Sequence, residues 1–204
     1  MDKLMYEFKG SLVLASGSPR RREMLARIGL AFQVIESEVD ESAEIPGAPE
    51  AVAQELACRK AQAVADREGG DHWFLGVDTV VVMGEKILGK PADRAQAAEF
   101  LRRLSGHWHQ VISGYCLIHP ATHRLVQRAV STRVLFKHLE ADEIDAYLAT
   151  DEPWDKAGAY AVQGIGAFMV ERLDGSYTNV VGLPMTELVG DLRRLDVIVP
   201  RRPG

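Results

Sequence analysis

Several charged residues stand where folding alone has no use for them. Arg20, Arg21 and Arg22 open what reads as a helix, at the end where the backbone dipole is already positive. Each is unfavourable there by about 0.3 to 1 kcal/mol unless an anion compensates. The order of strand, Gly/Ser turn and helix start over 12–20 is also one whose backbone amides bind phosphate. Ser16 and Ser18 lie in that turn. Asp78 sits inside the apolar run 74–82, where a buried carboxylate must be paired, hydrogen-bonded or metal-bound. Lys60 lies on a helical stripe with Leu56 and Val64, as Arg21 does with Leu25 and Ile28. For both, the competing reading is a charged head that snorkels to water. Lys90 stands between Gly89 and Pro91, and Glu41 in the acidic stretch 36–44, where a solvated surface is the first reading and a metal ligand the alternative. Carboxylates accompanied by several cations describe metal-assisted phosphoryl chemistry.

Other chemistries fit less well. No Lys-Ser or Lys-Thr closes the turn as in a P-loop, and the glycine spacing of a dinucleotide site is absent. His107 and His109 share a strand face but have no nearby carboxylate, so surface or hydrogen-bonded histidines are expected rather than a zinc site. Ser113 and His119 lack the G-x-S-x-G turn that would expose a nucleophile. Cys58 and Cys116 are far apart in sequence, and buried reduced thiols are expected.

The elements that must position these residues alternate in type. A strand over 12–16 leads through Ser18, a candidate cap, and Pro19 into a helix ending at Gly29, followed by a strand over 32–37. A helix over 50–67 stops at Gly69 and Gly70. The β-branched run 73–83 reads as an interior strand, turning at Gly84 and Glu85 into a hairpin. Asp93 caps a helix through Leu104, then come paired strands at 110–119 and 125–136 and a helix over 142–149. Strands at 159–162 and 167–173 and a last helix over 185–195 follow. This is an α/β chain with a mixed sheet, expected to form one domain over 1–204 with a core at about 11–195 and a frayed tail at 197–204.

With 47% hydrophobic and 26% charged residues, disorder and disulfide scaffolds are poor readings. A net charge of -5 argues against general attraction to a nucleic-acid backbone, so any anion binding must be local. No stretch approaches the roughly 18 apolar residues that span a bilayer. The charged opening MDKLMYEFKG also speaks against export, and a cytoplasmic location is expected.

The segments ASGSPRRREML, GVDTVVV, LGKP, DEPWDKAGAYAVQG and GSYTNVVGLP, in this order, resemble the Maf family of nucleotide pyrophosphatases from Leu12 to Leu195. The resemblance implies an elongated mixed sheet flanked by helices, bilobed with a central cleft, similar to inosine triphosphate pyrophosphatases. It implies Asp78 as catalytic acid or base with Glu41, both holding a magnesium or manganese ion. Ser16, Arg20, Arg21, Lys60 and Lys90 would bind the triphosphate. The form DKAGAYxxQG is similar to the branch acting on dTTP and UTP, with Arg20, Thr79 and Gln163 as specificity positions. A homodimer is implied as well. The rival function is a nucleotide-sensing regulatory protein linked to cell division, which would have little reason to keep a carboxylate beside the phosphates unless it binds metal.

Overall fold

The computed structural model describes residues 5–40 and 45–201. In chain order its elements are β1 (Tyr6–Phe8), β2 (Leu12–Ala15), α1 (Pro19–Arg27), β3 (Gln33–Val34), α2 (Pro49–Glu68), β4 (Trp73–Met83) and β5 (Lys86–Leu88). They continue with α3 (Arg94–Leu104), β6 (Trp108–His119), β7 (Arg124–Phe136), α4 (Ala141–Tyr147), β8 (Val170–Asp174), α5 (Tyr177–Val181), α6 (Met185–Arg194) and β9 (Ile198–Pro200). A seven-stranded sheet runs in the order β3-β2-β4-β6-β7-β8, with β5 on β4. β2 pairs parallel with β3 and β4, whereas β4–β5 and β7–β8 are antiparallel, so the sheet is mixed as expected.

The chain divides into two compact units, and β4, β6 and β7 each contribute to both. The first unit comprises 1–78, 114–129 and 182–204. Its core joins Val13 and Ala15 of β2, Ala57, Ala61 and Val64 of α2, Phe74 of β4, and Cys116 and Ile118 of β6. Glycine makes this packing possible: a Cβ at Gly76 would stand 1.9 Å from the Ala57 carbonyl oxygen, and one at Gly114 2.3 Å from that of Ala53. α2 therefore rests its backbone directly on β4 and β6. Cys58 and Cys116 are brought together by the same packing and form a disulfide, in place of the reduced thiols expected. Their sequence separation of 58 residues conceals a Cα–Cα distance of 5.0 Å, which suits a bridge.

Residues 197–201, expected to trail from the fold, belong to it. β9 pairs antiparallel with β1, and Val197 and Ile198 are buried. An apolar pair with a strand partner overrides the Pro/Arg composition of the segment; 202–204 lie outside the described residues.

The second unit, 79–113 and 130–181, packs α3 and α4 with β7, Val81, Tyr160 and Met169. Asp93 caps α3 as expected, accepting from the Gln96 amide at 2.8 Å. The expected strand at 159–162 is absent: Ala157–Ala159 and Ile165–Met169 are tight 3-10 turns, and β8 starts only at Val170. His109 is buried, with Nε2 2.7 Å from the Tyr160 hydroxyl and its ring against Phe136. Burial pushes its imidazole down to about 4. The unfolded chain protonates near the ordinary value of about 6.5, so between these two pH values it binds a proton that the folded state refuses. The associated stability is complete above about pH 6.5 and is lost as pH falls towards 4, on the order of 3 kcal/mol in all. Melting temperature is expected to drop across this window, and a His109→Gln variant to show a flatter profile. Parallel profiles for the two proteins would contradict the assignment.

Candidate functional site

In the first unit the buried strand β2 ends at Ala15 and the chain turns over 16–18 into α1, with Pro19 in its first turn and no acidic residue there. Ser18 occupies the cap position, but its side chain accepts no capping hydrogen bond. Ser16 organises the turn instead: its buried hydroxyl oxygen accepts from the Ser18 amide at 3.3 Å and from Arg21 Nη1 at 3.0 Å. Arg21 Nε also donates to the Gly182 carbonyl at 2.9 Å. Arg21 is therefore held by its hydrogen bonds rather than merely lying along apolar neighbours. Arg20 is half-buried and Arg22 exposed. Helix-start amides and arginines at the carboxyl end of a parallel strand can receive an anion, because unsatisfied N–H groups, dipole and side-chain charge all have the same sign. The side chain of Glu36 also reaches this turn, since a Cβ on Gly17 would meet its Oε1 at 2.5 Å. That approach had no signal in the spacing.

β4 lies beside β2, with Ala15 opposite Gly76. Gly76 and Asp78 share one face of β4, because side chains alternate along a strand. α2 covers that face, touching Gly76 with the backbone of Ala57 and Ala61. Lys60 falls within that stretch of helix, and its Nζ donates to Asp78 Oδ1 at 2.6 Å. Lys60 is 5% and Asp78 7% exposed, so the ammonium does not snorkel. It is compensated by a carboxylate. Removing Lys60 would therefore leave the Asp78 carboxylate without this partner. A buried pair of this kind adds little stability over apolar packing, but removing one partner costs about 3 to 5 kcal/mol. What it secures is a negative oxygen at a fixed place.

The remaining expected site residues belong to the second unit. Thr79 follows Asp78 on β4, and its hydroxyl lies 2.9 Å from that of Ser113. Ser113 donates its only proton to the Asn179 carbonyl at 2.9 Å, so Thr79 is the donor in the first bond. Asn179 in turn donates to the Val111 carbonyl and the Thr132 hydroxyl, both at 3.0 Å. Thr79 is thus the outer member of a buried polar chain. Lys90 is exposed in the loop after β5, whose Gly89 carbonyl accepts from the Gly158 amide at 3.0 Å. Gln163 is half-buried and directly precedes Gly164 and the turn Ile165–Met169.

Glu41 lies outside the described residues. Among those described, no three or more His, Cys, Asp or Glu side chains cluster as a ready-made metal cage. This donor set still suits magnesium or manganese, which is held through one or two carboxylates together with substrate phosphate oxygens. Asp78, buried on the strand beside the Ser16–Arg21 turn, is the described carboxylate placed to contribute.

A family model described as Maf-like protein matches residues 11–195. A dTTP/UTP pyrophosphatase of Geobacter sulfurreducens is 53% identical, covering 93% of this chain and 99% of its own. One of the same name from Geobacter metallireducens is 52% identical over 92% of this chain and 97% of its own. Among solved structures, a nucleoside-triphosphatase / dITP/XTP pyrophosphatase from Mycobacterium abscessus aligns over 90% of this chain and 93% of its own, with a TM-score of 0.46 and 14% identity. On the family match and the two Geobacter relatives, this chain belongs to the Maf family.

Proposed function

We propose that this protein hydrolyses dTTP and UTP to the nucleoside monophosphate and pyrophosphate. The observation that carries the reading is the buried Lys60–Asp78 pair on the strand next to the Ser16–Arg21 turn, an ionised carboxylate kept beside a basic, helix-start anion site. Relatives at about half identity named dTTP/UTP pyrophosphatase support the choice of substrate. A protein that only senses nucleotides needs the cations but has little reason to keep this carboxylate unless it binds metal.

In this reading Arg20, Arg21, Lys60 and Lys90 neutralise the triphosphate, and Ser16 holds Arg21 in place. Water attacks the α-phosphorus, its proton passes to Asp78, and the bond from that phosphorus to the bridging oxygen breaks to release pyrophosphate. A magnesium or manganese ion held by Asp78, with Glu41, would supply further charge neutralisation when bound. Lys60 fixes the Asp78 carboxylate so that it need not reorganise as charge develops, which is where electrostatic catalysis gains most. Thr79 and Gln163 read the base. Thymine and uracil show two carbonyl oxygens and one imide N–H, and a glutamine amide can both donate and accept. A homodimer and a cytoplasmic location belong to the same reading; no described helix is long and apolar enough to cross a membrane.

Pyrophosphate release measured on the eight common nucleoside triphosphates, with magnesium or manganese, tests it. dTTP and UTP are expected to be cleaved well and ATP and GTP poorly, and Gln163→Ala to narrow the gap by losing the pyrimidines. A polar site rejects a base that leaves its buried groups unpaired, so the gap is expected to be about 100-fold or more. Equal cleavage of purines and pyrimidines by the parent would remove the base assignment, and no pyrophosphate from any triphosphate would remove the activity.

A further inference from the structure

Gln163 lies between buried Ala161 and buried Met169, in a stretch whose intervening large apolar side chains are not buried. Gly164 is exposed, and Ile165 and Phe168 are 54% and 43% exposed. What ties the turn down is a carboxylate eleven positions upstream of Gln163. Glu152 Oε2 accepts from the Ile165 amide at 2.9 Å, and Oε1 accepts from the Gly166 amide at 2.7 Å and from the Tyr147 hydroxyl at 3.0 Å. Two successive amides aimed at one carboxylate form an anion cradle filled from within the chain, and bonds to a charged acceptor are roughly twice as strong as neutral ones.

The neighbouring glycines are required by this carboxylate. Gly164 has φ +82°, and a Cβ there would stand 2.2 Å from Glu152 Oε2. A Cβ on Gly166 would meet the Tyr147 hydroxyl at 2.9 Å and Glu152 Oε1 at 3.1 Å. Burial, and then the Glu152 charge and hydrogen bond, push the Tyr147 hydroxyl well above its ordinary value, so it stays a donor.

We propose that Glu152 is a positioning residue for base selection: through its clamp on the Ile165 and Gly166 amides, with Tyr147 behind it, it holds Gln163 in the one orientation that reads the pyrimidine edge. The inference rests on the reading of Gln163 as the base-recognising residue. Glutamine has free rotamers, and an amide ordered before binding loses less entropy on meeting its ligand. Both Glu152 oxygens are taken up by donors of the chain itself, so its effect is expected on selection.

The test compares the parent with Glu152→Gln, Tyr147→Phe, Gln163→Ala and the double variant Glu152→Gln/Gln163→Ala. Glu152→Gln presents an NH2 to a backbone N–H and breaks the clamp. It is expected to lower kcat/KM for dTTP and UTP about 30-fold, mainly through KM, and to leave ATP within about threefold. The double variant is expected to be no worse than Gln163→Ala, because residues acting as one unit are non-additive. Hydrogen exchange in a peptide covering 161–169 should be faster in Glu152→Gln. If that variant does not fold, Tyr147→Phe carries the test, since it keeps both amide bonds; its selectivity for dTTP over ATP is expected to fall about threefold. Equal loss for all triphosphates, additive effects, or unchanged exchange would each overturn the proposal. A parent without pyrimidine preference removes the base assignment and this inference with it. A preference that survives in both clamp variants removes the clamp alone.

Discussion

Replacing Asp78 with asparagine is expected to reduce pyrophosphate release by more than about 1000-fold, beyond the loss typical of removing one preorganised donor. Asparagine keeps the volume and one acceptor oxygen, so Lys60 Nζ can still donate across the 2.6 Å now bridged to Oδ1. It removes the charge that would take the proton from water or hold a metal ion. The substitution also weakens the fold, because Asp78 is half of a buried pair. Lys60 loses its Asp78 counter-charge at 5% exposure, and breaking such a pair costs up to about 3 to 5 kcal/mol. For a chain of this size that corresponds to a fall in melting temperature of up to about 6 to 20 °C. Circular dichroism and turnover measured on one preparation separate the two effects. Activity within about threefold of the parent, a difference of only 0.65 kcal/mol, would falsify the assignment of Asp78.

The second large effect concerns a residue that carries no chemistry. Gly76→Ala is expected to prevent stable folding, because its Cβ would lie 1.9 Å from the Ala57 carbonyl oxygen and 2.7 Å from the Ala61 amide nitrogen. Both are backbone atoms in the middle of the 20-residue α2, so no flexible side chain can yield and the whole helix must move away. Overpacking of this severity lies at or above the usual range of about 1 to 3 kcal/mol. The shift would also carry Lys60 away from Asp78, so any soluble fraction is expected to be inactive. Gly190→Ala is the control: it lies in α6 with nothing within 4 Å of the added Cβ, and it is expected to be neutral or stabilising by up to about 1 kcal/mol. A Gly76→Ala protein melting within about 2 °C of the parent would show that the close approach of helix to strand is not required.

The elements that were legible in the sequence are those whose local signals agree. β4 runs over 73–83 as read, since a long β-branched run has little alternative to an interior strand. α2 and α3 follow their apolar spacing and stop where glycine or a change of pattern ends them, and α3 starts at its Asp93 cap. The alternation of these elements was enough for an α/β chain with a mixed sheet. The motif order likewise pointed to the family, and the anomalies at Arg20–Arg22, Lys60 and Asp78 were visible because each violates a local expectation of charge or burial.

Whatever depends on two distant segments meeting had no local signature. The apolar residues of 159–162 suit a strand, yet the Gly158 and Gly164 backbones adopt positive φ and the chain makes tight turns there, the second held by Glu152. Val197 and Ile198 look like a fraying end until β1 pairs with β9 and buries them. Cys58 and Cys116 look unrelated until α2 lies on β6. Lys60 and Asp78 were each recognised as odd by themselves, but only the helix resting on Gly76 makes them partners and turns two costly burials into one compensated pair. Residue type and period determine which segment becomes helix or strand and which charges are out of place. Tertiary packing decides which of those charges neutralise each other, because burial free energy and Coulomb attraction depend on distances in space that sequence separation does not encode.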